Sequence, residues 1–292
     1  MKCFDDDTGS VIRIYFSHSQ GPWRAGQHFF LCFPELSIWQ SHPFTVMSLP
    51  SPRLQPSDHV YIVRSMSGQT SKLAKLAREK QSTGETTSVI MTGPYGTLIN
   101  EDAPNFLAIA GGTGISFALP LALEAASQIK NPGRRVQLVW AIRHSQDLEW
   151  VAPELEQLKQ LVKRPGSNLH VQIFITREKQ TAATSDSDDN SNGAKSGTGE
   201  KTSTVETPSR TLHDAHDVFT VTSLEGHHPD LNQVIAQFLE QTTSGRTQVV
   251  ASGPSGMGTD LRRAVARSND CAKSMKGNEK WDVSLYVDNR FN

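Results

Sequence analysis

The 292-residue sequence predicts two folded units in series: a small antiparallel β barrel, then an α/β unit built on a doubly wound parallel sheet. Short β-rich runs separated by Gly and Pro fill roughly the first third of the chain, the grammar of a small barrel. From about Ala103 buried apolar strands alternate with helices, the grammar of a parallel sheet. A chain of this length also exceeds one typical domain. We place the units at 1–102 and 103–292.

The barrel strands are "VIRIYFS" (11–17), "QHFFLCFP" (27–34), "PFTVMSL" (43–49), "HVYIVRSM" (59–66) and "TSVIMTGPYG" (87–96). One helix interrupts them. In "GQTSKLAKLAREK" (68–80), Leu73, Leu76 and Ala77 recur at helical spacing, and Thr70 or Ser71 is positioned to cap the start. The second unit then runs "FLAIA", "ISFALPLALEAASQI", "RVQLVWAI", "LEWVAPELEQLKQLV", "LHVQIFIT", "DLNQVIAQFLEQ", "QVVASG", "MGTDLRRAVA" and "WDVSLYV". Sheets of this kind bind ligands at the carboxyl ends of their strands.

Composition excludes several classes. Lys plus Arg number 29 against 30 Asp plus Glu, a net charge of −1, so no basic excess exists to neutralise a nucleic-acid backbone. Cys3, Cys32 and Cys271 lie far apart with no C-x-x-C pair, which argues against a disulfide framework or zinc site and for a reducing compartment. The opening "MKCFDDDTGS" is polar and acidic, unlike a signal peptide. Ala103 to Leu123 carries no charge and is long enough to span a bilayer, but "GGTG" at its middle divides it into a strand, a turn and a helix. Residues 178–210 are rich in Ser, Thr, Asp and Gly with almost no large apolar side chain, and we expect a disordered insertion within the second unit.

Three features carry chemistry. In "IAGGTGI", Gly111, Gly112, Thr113 and Gly114 form a turn between strand and helix where backbone N–H groups can approach a pyrophosphate. The next strand ends in Arg143 with no carboxylate, which favours the extra phosphate of NADPH over the ribose hydroxyls of NADH; His144 beside it reads as a surface residue. A second turn, "ASGPSGM", places Ser252, Gly253 and Pro254 at another strand end. In the barrel, Arg64 ends a strand just before the helix start at Gly68, Gln69, Thr70 and Ser71, a pairing of charge and free backbone donors suited to a diphosphate.

The segments "AGQHFFLCFPELSIWQSHPFTV", "VRSMSGQTSKL", "GPYG", "AGGTGIS", "VWAIRHSQDLEW" and "SGPSGM" resemble, in order, those of fungal ferric-chelate reductases and their NADPH oxidase relatives. The resemblance covers nearly the whole chain and implies a ferredoxin-reductase-like architecture, an FAD-binding barrel followed by an NADPH-binding domain. It implies that His42, Pro43, Phe44 and Thr45 contact the isoalloxazine, with Thr45 bonded to its reactive edge. It implies that Arg64, Gly68, Gln69, Thr70 and Ser71 hold the FAD pyrophosphate. Gly111, Gly112, Thr113, Gly114 and Arg143 would receive NADPH, with Ser252, Gly253, Pro254 and Met257 near the nicotinamide. Thr45, Ser252 and Phe291 are then the residues at the reacting rings. No metal ligand is assigned in this chain.

Two departures stand out. Many relatives carry Cys where this chain has Ser252, and relatives commonly end in an aromatic residue that shields the flavin, whereas this chain ends "DNRFN", making Phe291 the candidate shield. The family's membrane domain, with paired histidines holding haem, has no counterpart among the scattered histidines here. The expectation is therefore the dehydrogenase half of a ferric-chelate reductase. Itself soluble, it would work on the cytosolic side of a membrane and pass electrons from NADPH through FAD to a haem-bearing transmembrane partner and then to ferric chelates. Two alternatives accompany it: the dehydrogenase domain of a superoxide-generating NADPH oxidase, and a non-catalytic remnant or binding module.

Overall fold

The computed structural model describes residues 1–6, 9–19, 22–50, 56–96, 99, 103–127, 134–178 and 218–288. The expected insertion at 178–210, apart from Glu178, and Phe291 lie outside these residues.

The β-rich half is two three-stranded antiparallel sheets folded onto one another. One holds β1 (Lys2–Asp6), β2 (Gly9–His18) and β5 (Ser57–Arg64) in the order β1-β2-β5; the other holds β3 (His28–Cys32), β4 (Ser41–Thr45) and β6 (Ile90–Tyr95) in the order β4-β3-β6. Backbone bonds from Val46 N to Gln27 O (3.2 Å) and from Met47 N to Val60 O (2.7 Å) carry the chain round the corner between them. The space between the sheets is filled by Ile12, Ile14, Trp23, Phe29, Leu31, Tyr61 and Val63. Helix α1 (Gln69–Thr83) closes one end with Leu73, Ala74 and Ala77, the apolar stripe that its spacing predicts. Its start differs from expectation: the cap position is Gly68, and no side chain caps it.

Strand β1 was not anticipated. Its acidic residues read as solvent-loving, yet they are held by partners distant in sequence: Asp5 by Arg78 (2.6 Å) and Asp6 by Arg64 (3.2 Å).

The second half is a six-stranded parallel sheet. Its strands are β7 (Asn105–Gly111), β8 (Arg135–Ile142), β9 (Leu169–Ile175), β10 (Phe219–Ser223), β11 (Thr247–Ser252) and β12 (Val283–Asp288), in the order β10-β9-β8-β7-β11-β12. Every residue of β7 is buried. Phe106, Ala108 and Ala110 face α2 (Ile115–Ser127) and α3 (Ala152–Val162), while Leu107 and Ile109 face α4 (Leu231–Glu240) and α5 (Ser255–Ser268). That double burial explains the uninterrupted apolar run in the sequence. Strand β10, an edge strand paired only with β9 among the described residues, was also missed. The strand order reverses between β7 and β11, where adjoining connections leave in opposite directions and open a crevice at the carboxyl ends.

The halves share a core. Val11, Ala25, Met47, Val60 and Ile62 of the β-rich half join the cluster containing Phe117, Ala118 and Leu121 of α2.

Candidate functional site

The crevice between β7 and β11 is built by two turns packed backbone to backbone. A β-carbon on Gly114 would fall inside the van der Waals envelope of the Ser252 carbonyl. One on Gly111 would lie 2.8 Å from the Pro254 ring Cδ, and one on Gly253 would lie 3.0 Å from the Gly111 backbone nitrogen. Only glycine permits this crossing. Gly112 is required for a different reason: its φ is +54°, while a β-carbon there would meet nothing within 4 Å. The indole N–H of Trp140 donates to the Gly112 carbonyl at 2.9 Å and pins the turn.

Two hydroxyls at this crossing are buried without a hydrogen-bond partner among the described residues: Ser252 Oγ, on a fully buried residue, and Ser116 Oγ, two residues beyond Gly114. A buried hydroxyl left unpaired costs about 1–3 kcal/mol, which a ligand amide would recover. The donor and acceptor chemistry of a nicotinamide carboxamide fits that need. Ser116 was not singled out from the sequence, where it stands in an apolar run with no motif of its own.

Arg143 follows β8, and its backbone carbonyl accepts from Arg177 N (3.0 Å), so two arginines stand side by side at neighbouring strand ends. Arg177 was missed, though "FITRE" carries the signal. Asp147, 3% exposed, accepts from the backbone N–H groups of Arg143 (3.0 Å) and His144 (3.2 Å). Burial pushes its carboxyl above the ordinary range against the opposing pull of those bonds. His144 is a partly buried capping residue of the 3-10 turn Ser145–Val151. Glu178 accepts from Ser145 N and from Ser145 Oγ, both at 2.8 Å, and these bonds hold its carboxyl below the ordinary range.

The second cluster lies on the β-rich half. His42 and Phe44 of β4 line one pocket with Gln40, Gln69, Thr70 and Leu73, bringing the His-Pro-Phe-Thr strand and the start of α1 together. The Gln69 amide donates to Gln40. His42 Nε2 is buried with no partner among the described residues, and the α1 start has no side-chain cap, leaving backbone donors for an anion. These features fit a flavin nucleotide. Thr70 turns its hydroxyl back on the loop, accepting from Met66 N (2.9 Å) and donating to Ser67 O (3.2 Å). Thr45 is 5% exposed and sits opposite His28 in the ladder. Pro43 sits opposite Phe30 on β4, an edge strand among the described residues, so its missing N–H leaves no central ladder broken.

Arg64, expected beside the α1 start, pairs with Asp6 and lies 5.5 Å from the Trp150 ring centre. Strand β5, which ends in Arg64, runs beside the Gly112–Gly114 turn. Strand β12 ends at Asp288, in line with Ser252 through β11. Among the described residues no group of three His, Cys, Asp or Glu is placed to hold a metal, and no helix is long and apolar enough to cross a membrane.

Comparison with known proteins matches both halves to cofactor-binding domain families. Residues 5–98 match the FAD-binding domain model and residues 104–266 the ferric reductase NAD binding domain model. The chain is 32% identical over 177 residues to ferric reductase transmembrane component 5 of Saccharomyces cerevisiae, covering 59% of this chain and 24% of that protein. It is 27% identical over 255 residues to a probable ferric reductase transmembrane component of Candida albicans, covering 85% and 36%. It thus spans about a quarter to a third of the length of these relatives. Among solved structures, the ferredoxin reductase of carbazole 1,9a-dioxygenase superposes with a TM-score of 0.58 at 12% identity, covering 96% of this chain and 65% of that one. The ferredoxin-NADP+ reductase of Plasmodium falciparum gives 0.55 at 13%, covering 97% and 91%. The fold is ferredoxin-reductase-like, its two halves are domains for FAD and NAD(P)H, and the chain belongs to the ferric reductase family.

Proposed function

We propose that the chain is the dehydrogenase portion of an NADPH-dependent ferric-chelate reductase, with residues 1–102 holding FAD and residues 103–292 holding NADPH. The observation that carries this reading is the crossing of Gly111–Gly114 with Ser252–Pro254 beside a strand of the flavin-side sheet. When bound, FAD supplies the step from a two-electron hydride donor to single-electron delivery toward haem and ferric chelate.

The residues supply orientation. His42, Pro43, Phe44 and Thr45 present one wall to the flavin ring, with the Thr45 hydroxyl at its reactive edge. Gly68, Gln69, Thr70 and Ser71 offer backbone and side-chain donors to the pyrophosphate, and Arg64 adds charge shared with Asp6. Gly111, Gly112, Thr113 and Gly114 cradle the second pyrophosphate. Ser116 and Ser252 hold the nicotinamide carboxamide, and Gly253, Pro254 and Met257 bound the ring. Phe291 is assigned to shield the flavin face. Arg143 and Arg177 favour a 2′-phosphate and hence NADPH.

The relatives are named ferric reductase transmembrane components, which supports ferric iron over oxygen as final acceptor and a transmembrane domain as partner. The family resemblance adds a haem in that domain and a place for this portion on the cytosolic side. The test is colour. The purified chain should bind FAD and turn yellow, and NADPH should bleach it without oxygen. A chain that stays colourless with added FAD would overturn the reading.

A further inference from the structure

A run of side chains ties the flavin-side sheet to the glycine turn. Arg13 of β2 donates from one guanidinium nitrogen to the Trp150 carbonyl and to Glu154 Oε2, both at 2.9 Å, and from the other to Glu154 Oε1 at 2.7 Å. The two side chains are only 13% and 14% exposed. Parallel charge-assisted bonds of this kind fix direction as well as distance. Trp150, 2% exposed, also receives the Arg64 guanidinium and packs on Trp140, with ring centres 6.4 Å apart. Trp140 in turn donates to the Gly112 carbonyl.

Ordinary domain packing would account for an ion pair that ended in a hydrophobic contact. This run ends on a main-chain atom of the dinucleotide turn. Gly112 has no side chain to anchor it and open space where one would lie; its carbonyl accepts from Ile115 N–H inside the turn and from the Trp140 indole outside it, so Trp140 ties the turn to the rest of the domain. Hydride transfer requires reacting atoms about 3–3.5 Å apart, and a misplacement of about 1 Å can cost on the order of a hundredfold in rate.

We propose that Arg13, Glu154, Trp150 and Trp140 are positioning residues that set the height and tilt of the NADPH-binding turn against the flavin-side sheet. This rests on the FAD and NADPH reading above. The fit of the two rings then depends on contacts that touch neither cofactor.

The test uses the full chain loaded with FAD, as wild type, Arg13→Met, Trp140→Phe and the exchanged pair Arg13→Glu with Glu154→Arg. FAD content, the NADPH dissociation constant and the flavin reduction rate at saturating NADPH are measured for each. Arg13→Met and Trp140→Phe should each slow saturated reduction about tenfold or more, with FAD content retained and NADPH affinity changed less than about threefold. The exchanged pair, which restores the ion pair but not the donor to the Trp150 carbonyl, should recover part of the loss. Unchanged reduction rates, or losses that follow FAD or NADPH binding, overturn the positioning role while leaving the cofactor reading intact. A wild type that binds both nucleotides but is never reduced overturns both.

Discussion

Gly114 and Ser252 meet main chain to main chain: the space a β-carbon of residue 114 would need is already taken by the Ser252 carbonyl. The contact joins the ends of β7 and β11 at the point where the strand order reverses, and so fixes the floor of the crevice. Gly114→Ala must push the two strand ends apart. Overpacking of this kind costs about 1–3 kcal/mol, and we expect a lower midpoint in thermal unfolding together with weakened NADPH binding. Wild-type unfolding and NADPH affinity in this variant would refute the crossing.

Ser252→Ala separates stability from function. The hydroxyl is buried without a partner among the described residues, so its removal should leave the nucleotide-free protein equally stable or more stable by up to about 1 kcal/mol. Flavin reduction should nonetheless slow if Ser252 holds the nicotinamide carboxamide as proposed. Stability in denaturant and single-turnover reduction, measured on one preparation, check both halves. Ser252→Cys, which puts a polarisable sulfur in place of the hydroxyl, should retain or raise the rate.

Arg143→Ala should weaken NADPH binding by about 1.5–3 kcal/mol, tenfold or more, with little change for NADH. Glu178→Gln should act in the opposite direction. Its carboxylate engages Ser145 beside Arg143, and those bonds hold its pKa below the usual carboxylate range, so at neutral pH its charge would oppose a 2′-phosphate held at the proposed site. Titrations of both nucleotides against each variant check the pair. Equal changes for NADPH and NADH would remove these residues from nucleotide selection.

His170 supplies a pH dependence away from the site. Burial, then the neighbouring Arg135, lowers its pKa to about 4 from the ordinary value of about 6.5. Between those values the unfolded chain binds the proton and the folded chain does not, so stability falls as pH drops from about 6.5 toward 4. His170→Gln should flatten that portion of the stability profile, measured by denaturant unfolding across the window.

Much of the candidate site was legible because its residues break local rules. A proline in a strand and glycine runs at strand ends are costly unless something requires them, and Pro43, Gly111 and Gly114 all stand where geometry does. The alternation of strands and helices was readable for the same physical reason: β7 is buried on both faces and so shows no polar break. What escaped depends on partners far along the chain. Asp5 and Asp6 tolerate a strand because Arg78 and Arg64 meet them there. Arg13 and Glu154 stand 141 residues apart, and no local pattern announces their pairing. The uncapped start of α1 was misread because Thr70 has a hydroxyl and the right spacing, but spends it on the preceding loop.

The most direct test of the shared crevice is anaerobic reduction of the FAD-loaded chain by NADPH carrying deuterium at the transferred position of the nicotinamide. We expect stoichiometric bleaching of the flavin, with a slower rate for the deuterated nucleotide because the hydride moves directly between the two rings. Flavin that remains oxidised while both nucleotides are demonstrably bound would contradict the account.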